Sequence, residues 1–288
     1  MNQNKIAFVL EGGAMRGLYT AGVLDTFMNK GINTDAILGV SAGALFGINF
    51  KSKQIGRALR YNLKYAHDKR YMGMYSLLTT GDIMNRNFCF EDLVYELDRF
   101  DFDTFNSSPI DFFAVVTNLD TGKPEYIKID DAHSKLEYLR ASGSMPFVSN
   151  IVNINGNKYL DGAISDSIPI EKAIEMGYEK IIVVLTRPLG YTKSKPMMPY
   201  DLWYKKYPNF INVGKTYYKK YNEILEMLVE YEKQEKIIVL RPSVELNIQR
   251  VEKNLKKLQA IYDLGVKDCN EKLDIITSYL ASSKKITL

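Results

Sequence analysis

Ser41 stands in Gly39-Val40-Ser41-Ala42-Gly43, directly behind the apolar run Ala36 to Val40 and ahead of the apolar stretch Ala44 to Phe50. Flanking glycines permit the tight strand-to-helix turn that lifts a serine hydroxyl out at a strand's C-terminal end, the setting of a nucleophile elbow. A helix beginning there also favours developing negative charge. The plainer use of the same residues is a serine that caps a helix after a strand.

A second stretch, Glu11-Gly12-Gly13-Ala14-Met15-Arg16-Gly17, follows the apolar run Ile6 to Leu10 and opens a helical pattern. Consecutive small residues expose backbone N–H groups to an approaching anion, and Arg16 adds positive charge beside them. One use of such a loop is an oxyanion hole. The competing use is dinucleotide binding, with Gly12 and Gly17 spaced as in GxGxxG. That reading wants an acidic residue at the end of the second strand to hold a ribose, and this second strand ends in the serine motif. A Walker-type loop fails for want of Gly-Lys-Ser/Thr.

A serine is inert until a base takes its proton. The chain has two histidines, His67 and His133. A Ser-Asp-His triad in that chain order expects a long stretch of sheet before the serine, which here falls on the second predicted strand. His133 sits in the loop-like Asp-Asp-Ala-His, and both histidines read as solvated or capping residues. A carboxylate is the better base. Asp161, in Tyr159-Leu160-Asp161-Gly162-Ala163 at the end of a predicted hairpin strand, is the candidate. Alone, Asp-Gly reads as an ordinary turn. Beside the other two motifs it reads as a carboxylate whose pKa a water-poor cleft would raise, within hydrogen-bond reach of the serine.

In that order the three motifs resemble the patatin-like phospholipase family. The family's glycine-rich loop falls on Glu11, Gly12, Gly13, Met15 in the variable place, Arg16 and Gly17; its nucleophile motif falls on Gly39 to Gly43, and its base motif on Asp161, Gly162 and Ala163. Ala141 to Phe147 resembles the family's segment ahead of the base, so the likeness covers residues 5 to about 187. It implies a three-layer α/β/α sandwich around a mostly parallel sheet. It also implies hydrolysis of a lipid or other acyl ester, as a phospholipase A, lysophospholipase or esterase, by a Ser41–Asp161 dyad that needs no metal or cofactor. The N–H groups of Gly12, Gly13 and Ala14 would hold the oxyanion, with Arg16 and Gly17 completing the loop. One departure is Ala14, where the family has a third glycine; if that position needs a positive φ, the methyl group costs about 1 kcal/mol. Two other functions stay in view: a non-catalytic acyl-lipid binding or regulatory module, and peptide-bond hydrolysis.

The elements that must position these residues follow from periodicity. Apolar, β-branched runs at Ile6 to Leu10, Ala36 to Val40, Phe112 to Thr117, Tyr126 to Ile129, Ile181 to Thr186 and Ile237 to Leu240 alternate with helical patterns, which implies a largely parallel sheet covered on both faces. Leu18, Val23, Leu24 and Phe27 form the stripe of the first crossover helix, with Gly31 at its C-cap. Asn155-Gly156 is a two-strand hairpin signal. The stretches Tyr71 to Gly81 and Ser142 to Gly156 read as loops over one edge of the sheet. After Arg187-Pro188 the composition shifts to Lys, Tyr and long helical periodicity. Residues 1–190 are therefore expected to form the patatin-like catalytic domain, and 191–288 a helical extension packed on it and contributing one strand.

Composition narrows the setting. With 288 residues and 46% hydrophobic content, the chain can bury a large core. A net charge of +4 from 38 basic and 34 acidic residues is too even for a dedicated nucleic-acid binder. Cys89 and Cys269 show neither disulfide nor zinc spacing, which suits a reducing cytoplasm. Ile6 to Leu10 is too short for a signal-peptide core, and no run reaches the roughly 18 apolar residues of a membrane span. Contact with lipid is thus expected to be peripheral. The aromatic and basic residues from Trp203 to Tyr207 and from Lys215 to Tyr221 suit either a membrane interface or a packed helix with a solvated basic face.

Overall fold

The computed structural model describes residues 5–286. Among them, eight strands form one mixed sheet: β1 (Ile6–Leu10), β2 (Ala36–Val40), β3 (Asp111–Asn118), β4 (Pro124–Lys128), β5 (Val152–Ile154), β6 (Asn157–Asp161), β7 (Lys180–Val184) and β8 (Ile238–Leu240). The order is β5-β6-β3-β2-β1-β7-β8, with β4 paired to β3. The run β3-β2-β1-β7-β8 is parallel, while β4, β5 and β6 join antiparallel. The sheet is therefore mostly parallel, as the sequence pattern suggests, with antiparallel pairings at one end, where short turns rather than crossover helices carry the chain from β3 to β4 and from β5 to β6.

The helices are α1 (Gly17–Asn29), α2 (Ala42–Lys51), α3 (Arg57–Tyr65), α4 (Met74–Thr80), α5 (Phe102–Ser107), α6 (Leu136–Gly143), α7 (Ile170–Glu175), α8 (Tyr200–Trp203), α9 (Pro208–Lys233), α10 (Leu255–Glu271) and α11 (Leu273–Ala281), with a π-helical segment at Phe88–Leu97. Alternation along the strands sorts the core into two layers. Phe8, Leu10, Ile37, Ile182 and Val184 point to the face covered by α1, α2, α3 and α10. Ala7, Val9, Leu38, Ile181 and Val183 point to the face covered by α7 and α9. Each large side chain so buried stabilises the fold by roughly 1.5–3 kcal/mol relative to exposure. The result is a three-layer α/β/α sandwich.

The two stretches expected as loops are partly ordered. Between Gly73 (φ 124°) and Gly81 (φ 80°) the chain forms α4; the glycines punctuate a short helix that has none inside it. The second stretch begins within α6, includes β5 and ends in the hairpin turn after it. At the hairpin, Asn155 (φ 51°) and Gly156 (φ 85°) both take positive φ, as a type I′ turn requires.

The pairings along β3 explain why residues distant in sequence meet. Val115, midway along β3, pairs with both β2 and β4, and the next residues, Val116 and Thr117, pair with both β4 and β6. Hence β2 and β6 share the same edge of β3 and approach each other end to end. β2 stops at Val40 opposite Val115, and β6 stops at Asp161 opposite Val116. The residue after β2 is Ser41.

Beyond residue 190, β8 extends the sheet parallel to β7, and α10 lies against α1. There, a methyl on Gly22 would meet the Tyr262 carbonyl oxygen at 2.2 Å, and one on Gly265 the Tyr19 carbonyl oxygen at 2.1 Å. The basic and aromatic stripe divides. Tyr204 and Tyr221 are buried, while Lys205, Lys206, Lys215 and Lys219 are exposed. The exposed apolar residues of that region are instead Met197, Met198, Leu202 and Trp203.

Candidate active site

Ser41 adopts φ 54° and ψ −123° at the N-cap of α2, a strained conformation that an elbow must hold in place. Its backbone N–H donates to Ser142 Oγ at 2.9 Å, and the Ser142 hydroxyl donates in turn to the Val115 carbonyl at 2.7 Å. Ser142 thereby ties the elbow to α6 and β3. Gly39 and Gly43 allow the crowding around the turn: a methyl on Gly43 would fall 2.4 Å from the Leu10 carbonyl oxygen, and one on Gly39 2.7 Å from Ala44 Cα.

The Ser41 hydroxyl donates to Asp161 Oδ2 at 2.7 Å across a sequence separation of 120 residues. The other carboxylate oxygen, Oδ1, accepts the Ala163 N–H at 2.9 Å, and the Thr117 hydroxyl donates to the Asp161 main-chain carbonyl. The Asp-Gly step is no ordinary turn. A methyl on Gly162 would lie 2.3 Å from the Val115 carbonyl oxygen, so glycine lets the chain press against β3 and aim Asp161 at the serine. Burial pushes the Asp161 carboxyl up to about 6, against the downward pull of the Ala163 N–H, the Ser41 hydroxyl, Lys193 and Arg250.

The glycine-rich loop abuts the elbow; a methyl on Gly12 would sit 2.8 Å from Ser41 Cβ. Glu11 anchors the loop from beneath. Its Oε2 accepts the Thr186 N–H at 2.6 Å and its Oε1 accepts the Tyr221 hydroxyl at 2.6 Å, while the Thr186 hydroxyl donates to the Gly12 carbonyl at 3.1 Å. No acceptor among the described residues takes the N–H of Gly12, Gly13 or Ala14. Ala14 does take positive φ, 49°, so its methyl group carries the backbone cost expected where the loop wants glycine. Arg16 lines the cavity over the loop, and its Nε is buried without a hydrogen-bond partner. Gly17 departs from expectation. Its N–H closes a helical turn onto the Ala14 carbonyl, and its Cα packs beside Ala42 and Phe46, so it contributes close helix packing and no free donor.

Two cavities open at Ser41. One is apolar and runs beneath α2, with Leu45, Phe46, Met72, Phe90 and Leu93 in its wall. The other is the more polar of the two, bounded by the glycine-rich loop, Asp161, the chain around Lys193 and the tyrosines of α9, with Phe147, Val148 and Ile164 also in its wall. His67 and His133 are exposed; His133 packs edge-on to Tyr95 and Phe102, and neither lines a cavity at Ser41. No group of three or more His, Cys, Asp or Glu side chains among the described residues is arranged to hold a metal ion. Cys89 and Cys269 are buried free thiols.

Sequence reasoning missed Ser142, Thr186, Tyr221, Lys193 and Arg250. Ser142 lies where a segment similar to the family's meets a stretch read as a loop, and neither reading marks it as a bridge. Tyr221, Lys193 and Arg250 lie where no motif is legible.

A family model described as "Patatin-like phospholipase" matches residues 8–174, and one described as "Domain of unknown function (DUF6363)" matches residues 207–281. The chain is 27% identical over 278 residues to uncharacterized protein YjjU of Escherichia coli K12, spanning 91% of this chain and 75% of that protein. It is 23% identical over 290 residues to lysophospholipase NTE1 of Kluyveromyces lactis, spanning 90% of this chain and 18% of the relative. Among solved structures, VipD from Legionella pneumophila aligns at TM-score 0.47 and 13% identity, over 95% of this chain and 67% of that one. Among the described residues, no helix is long and apolar enough to cross a membrane.

Proposed function

The chain belongs to the patatin-like phospholipase family, and we propose that it is a serine hydrolase of lipid acyl esters with Ser41 as nucleophile and Asp161 as base. The observation that carries this reading is the 2.7 Å hydrogen bond from Ser41 Oγ to Asp161 Oδ2 in a buried setting. The relatives named lysophospholipases support lipid as the substrate class.

In the first half-reaction Ser41 Oγ bonds to the ester carbonyl carbon while its proton passes to Asp161. The carbonyl oxygen gains the negative charge, and the free N–H groups of Gly12, Gly13 and Ala14 are the donors available to hold it, with Arg16 adding positive field. The intermediate collapses with cleavage of the carbon–oxygen bond to the alcohol. Asp161 returns the proton to that leaving oxygen. In the second half-reaction water attacks the acyl-serine, its proton goes to Asp161, the acid departs, and Ser41 regains its proton. Replacing Ser41 with Ala should abolish both hydrolysis of a p-nitrophenyl acyl ester and labelling by a fluorophosphonate; retention of either removes Ser41 from the mechanism. Asp161→Asn should lower the rate by roughly 10²–10⁴-fold.

The enzyme would meet its substrate as a peripheral protein. Met197 and Met198 lie on the rim of the polar cavity, beside the exposed Leu202 and Trp203. Apolar side chains of this kind enter a lipid interface while neighbouring lysines stay at the headgroups. Liposomes containing anionic lipid should retain the wild-type protein at low salt and release a Leu202→Ser/Trp203→Ser variant; equal retention of both removes this surface from the reading.

A further inference from the structure

The two cavities at Ser41 differ in which catalytic group they contain. Ala14, Ser41, Met145 and Arg250 line both, whereas Asp161 lines the polar one alone. If Asp161 hands its proton to the departing oxygen, the alcohol half of the ester must lie on the polar side. The acyl chain then occupies the apolar cavity. This orientation rests on the hydrolase reading of Ser41 and Asp161.

The polar cavity has an unbalanced charge. Arg16, Arg187, Lys193, Lys195 and Arg250 line it against two carboxylates, Glu11 and Asp161. Both carboxylates are already occupied, Glu11 by Tyr221 and Thr186 and Asp161 by Ser41 and Ala163. Arg187 is satisfied by Glu245 at 2.9 Å. Arg16, Lys193 and Arg250, by contrast, form no ion pair with any described residue within 4.0 Å. The Arg16 Nε is buried with no acceptor. The Lys193 ammonium rests over the rings of Tyr221 at 3.7 Å and Tyr217 at 4.8 Å. Aromatic faces hold a cation without using its N–H donors, so those donors stay available to a ligand.

We infer that the polar cavity is a head-group subsite for a phosphate carried on the alcohol side of the ester, held by Arg16, Lys193 and Arg250. A choline-like cation is disfavoured there: the faces of Tyr217 and Tyr221 already hold Lys193, that of Tyr191 holds Arg187, Tyr200 packs against Tyr204 and Phe210, and both carboxylates are occupied. Lys193 and Arg250 lie outside residues 8–174, the span matched by the family model. Two of the three head-group cations are therefore supplied by the C-terminal part of the chain, and the third, Arg16, by the glycine-rich loop beside the dyad.

The test compares kcat/KM for esters of one acyl chain: 1-acylglycerol 3-phosphate, 1-acylglycerol 3-phosphocholine, monoacylglycerol and the acyl-CoA thioester. Wild type should favour the glycerophosphate over the neutral ester by at least tenfold, with the phosphocholine near the neutral one and the preference shrinking as salt rises. In Lys193→Met/Arg250→Met the ratio should fall to about one, and Lys193→Arg/Arg250→Lys should recover most of it. The ratio cancels any shared effect on chemistry or folding. A wild-type ratio near one, or a ratio unchanged in the Met variant, overturns the inference while leaving the hydrolase reading intact. Preference for acyl-CoA over the glycerophosphate would assign the phosphate to a nucleotide instead of a lipid head group. Calorimetric titration of Ser41→Ala protein with the same glycerolipids needs no turnover. Tenfold tighter binding of the glycerophosphate supports the subsite even if wild type hydrolyses no ester, an outcome that sinks only the hydrolase reading; equal affinities sink the subsite.

Discussion

Ser41 holds φ 54° and ψ −123°, a backbone region that costs an L-residue of order 1–3 kcal/mol and is retained where surrounding contacts over-determine it. Glycine would relax that strain but add unfolded-state freedom, a loss of about 0.4–1 kcal/mol. Ser41→Gly should therefore be more stable than Ser41→Ala by about 1 kcal/mol in urea denaturation, although both lack the hydroxyl; equal midpoints would mean the elbow is unstrained. Asp161 stores a second cost. Its folded-state pKa of about 6 exceeds the ordinary 3.8, so the folded state binds the proton more tightly. Its contribution is most favourable below about pH 4 and is lost as pH rises through 6, leaving an ionised buried carboxylate that costs roughly 3 kcal/mol at pH 8. Asp161→Asn should then gain about 2 kcal/mol at pH 8 and little at pH 4. The proposed catalysis runs the opposite way, since only the ionised form would accept the serine proton: kcat/KM should climb with pH through a midpoint of about 6 to a plateau. Ser41 and Asp161 were legible because each sits in a motif whose glycines mark a backbone demand. Ser142 was not, because a serine bridging the Ser41 N–H and the Val115 carbonyl looks locally like any loop serine.

At the edge of β3, β2 and β6 arrive from opposite directions and stop on adjacent residues, Val115 and Val116. That register, more than any loop, sets the distance between Ser41 and Asp161. A methyl at Gly162 would have to displace the Val115 carbonyl region from 2.3 Å, moving Asp161 off the serine. Gly162→Ala should destabilise by about 1–3 kcal/mol, as overpacking does, and lower kcat by up to about 10²-fold, as an ångström-scale misplacement can. A stability loss with unchanged kcat would mean that β6 does not aim the carboxylate. The parallel strands and the type I′ hairpin could be read from apolar runs and from Asn155-Gly156. The end-to-end meeting of β2 and β6 could not, since it depends on which edge of β3 each strand takes.

For the molecule as a whole, the C-terminal part is built into the site. Tyr221 of α9 holds Glu11 under the glycine-rich loop, and α10 closes on α1 through Gly22 and Gly265. Neither contact is visible in the sequence, because a lone glycine in a helical pattern and one tyrosine among many carry no mark of their partners. Gly265→Ala would drive a methyl to 2.1 Å from the Tyr19 carbonyl oxygen, and should cost about 1–3 kcal/mol. Thermal unfolding should show one transition lowered as a unit. A separate early transition confined to the C-terminal helices would mean that α10 folds apart from the sheet.

On the proposed mechanism the acyl-serine bond fixes an order of events, and the placement of Asp161 on one side of Ser41 only assigns each event to a chamber. The freed alcohol would vacate the polar chamber while the acyl group is still bonded to Ser41, and that chamber would then be the route by which water reaches the ester beside the base. The fatty acid leaves last. Kinetically this is a ping-pong sequence, in which added fatty acid competes with substrate for the free enzyme, added alcohol does not, and a second alcohol entering in place of water turns hydrolysis into acyl transfer.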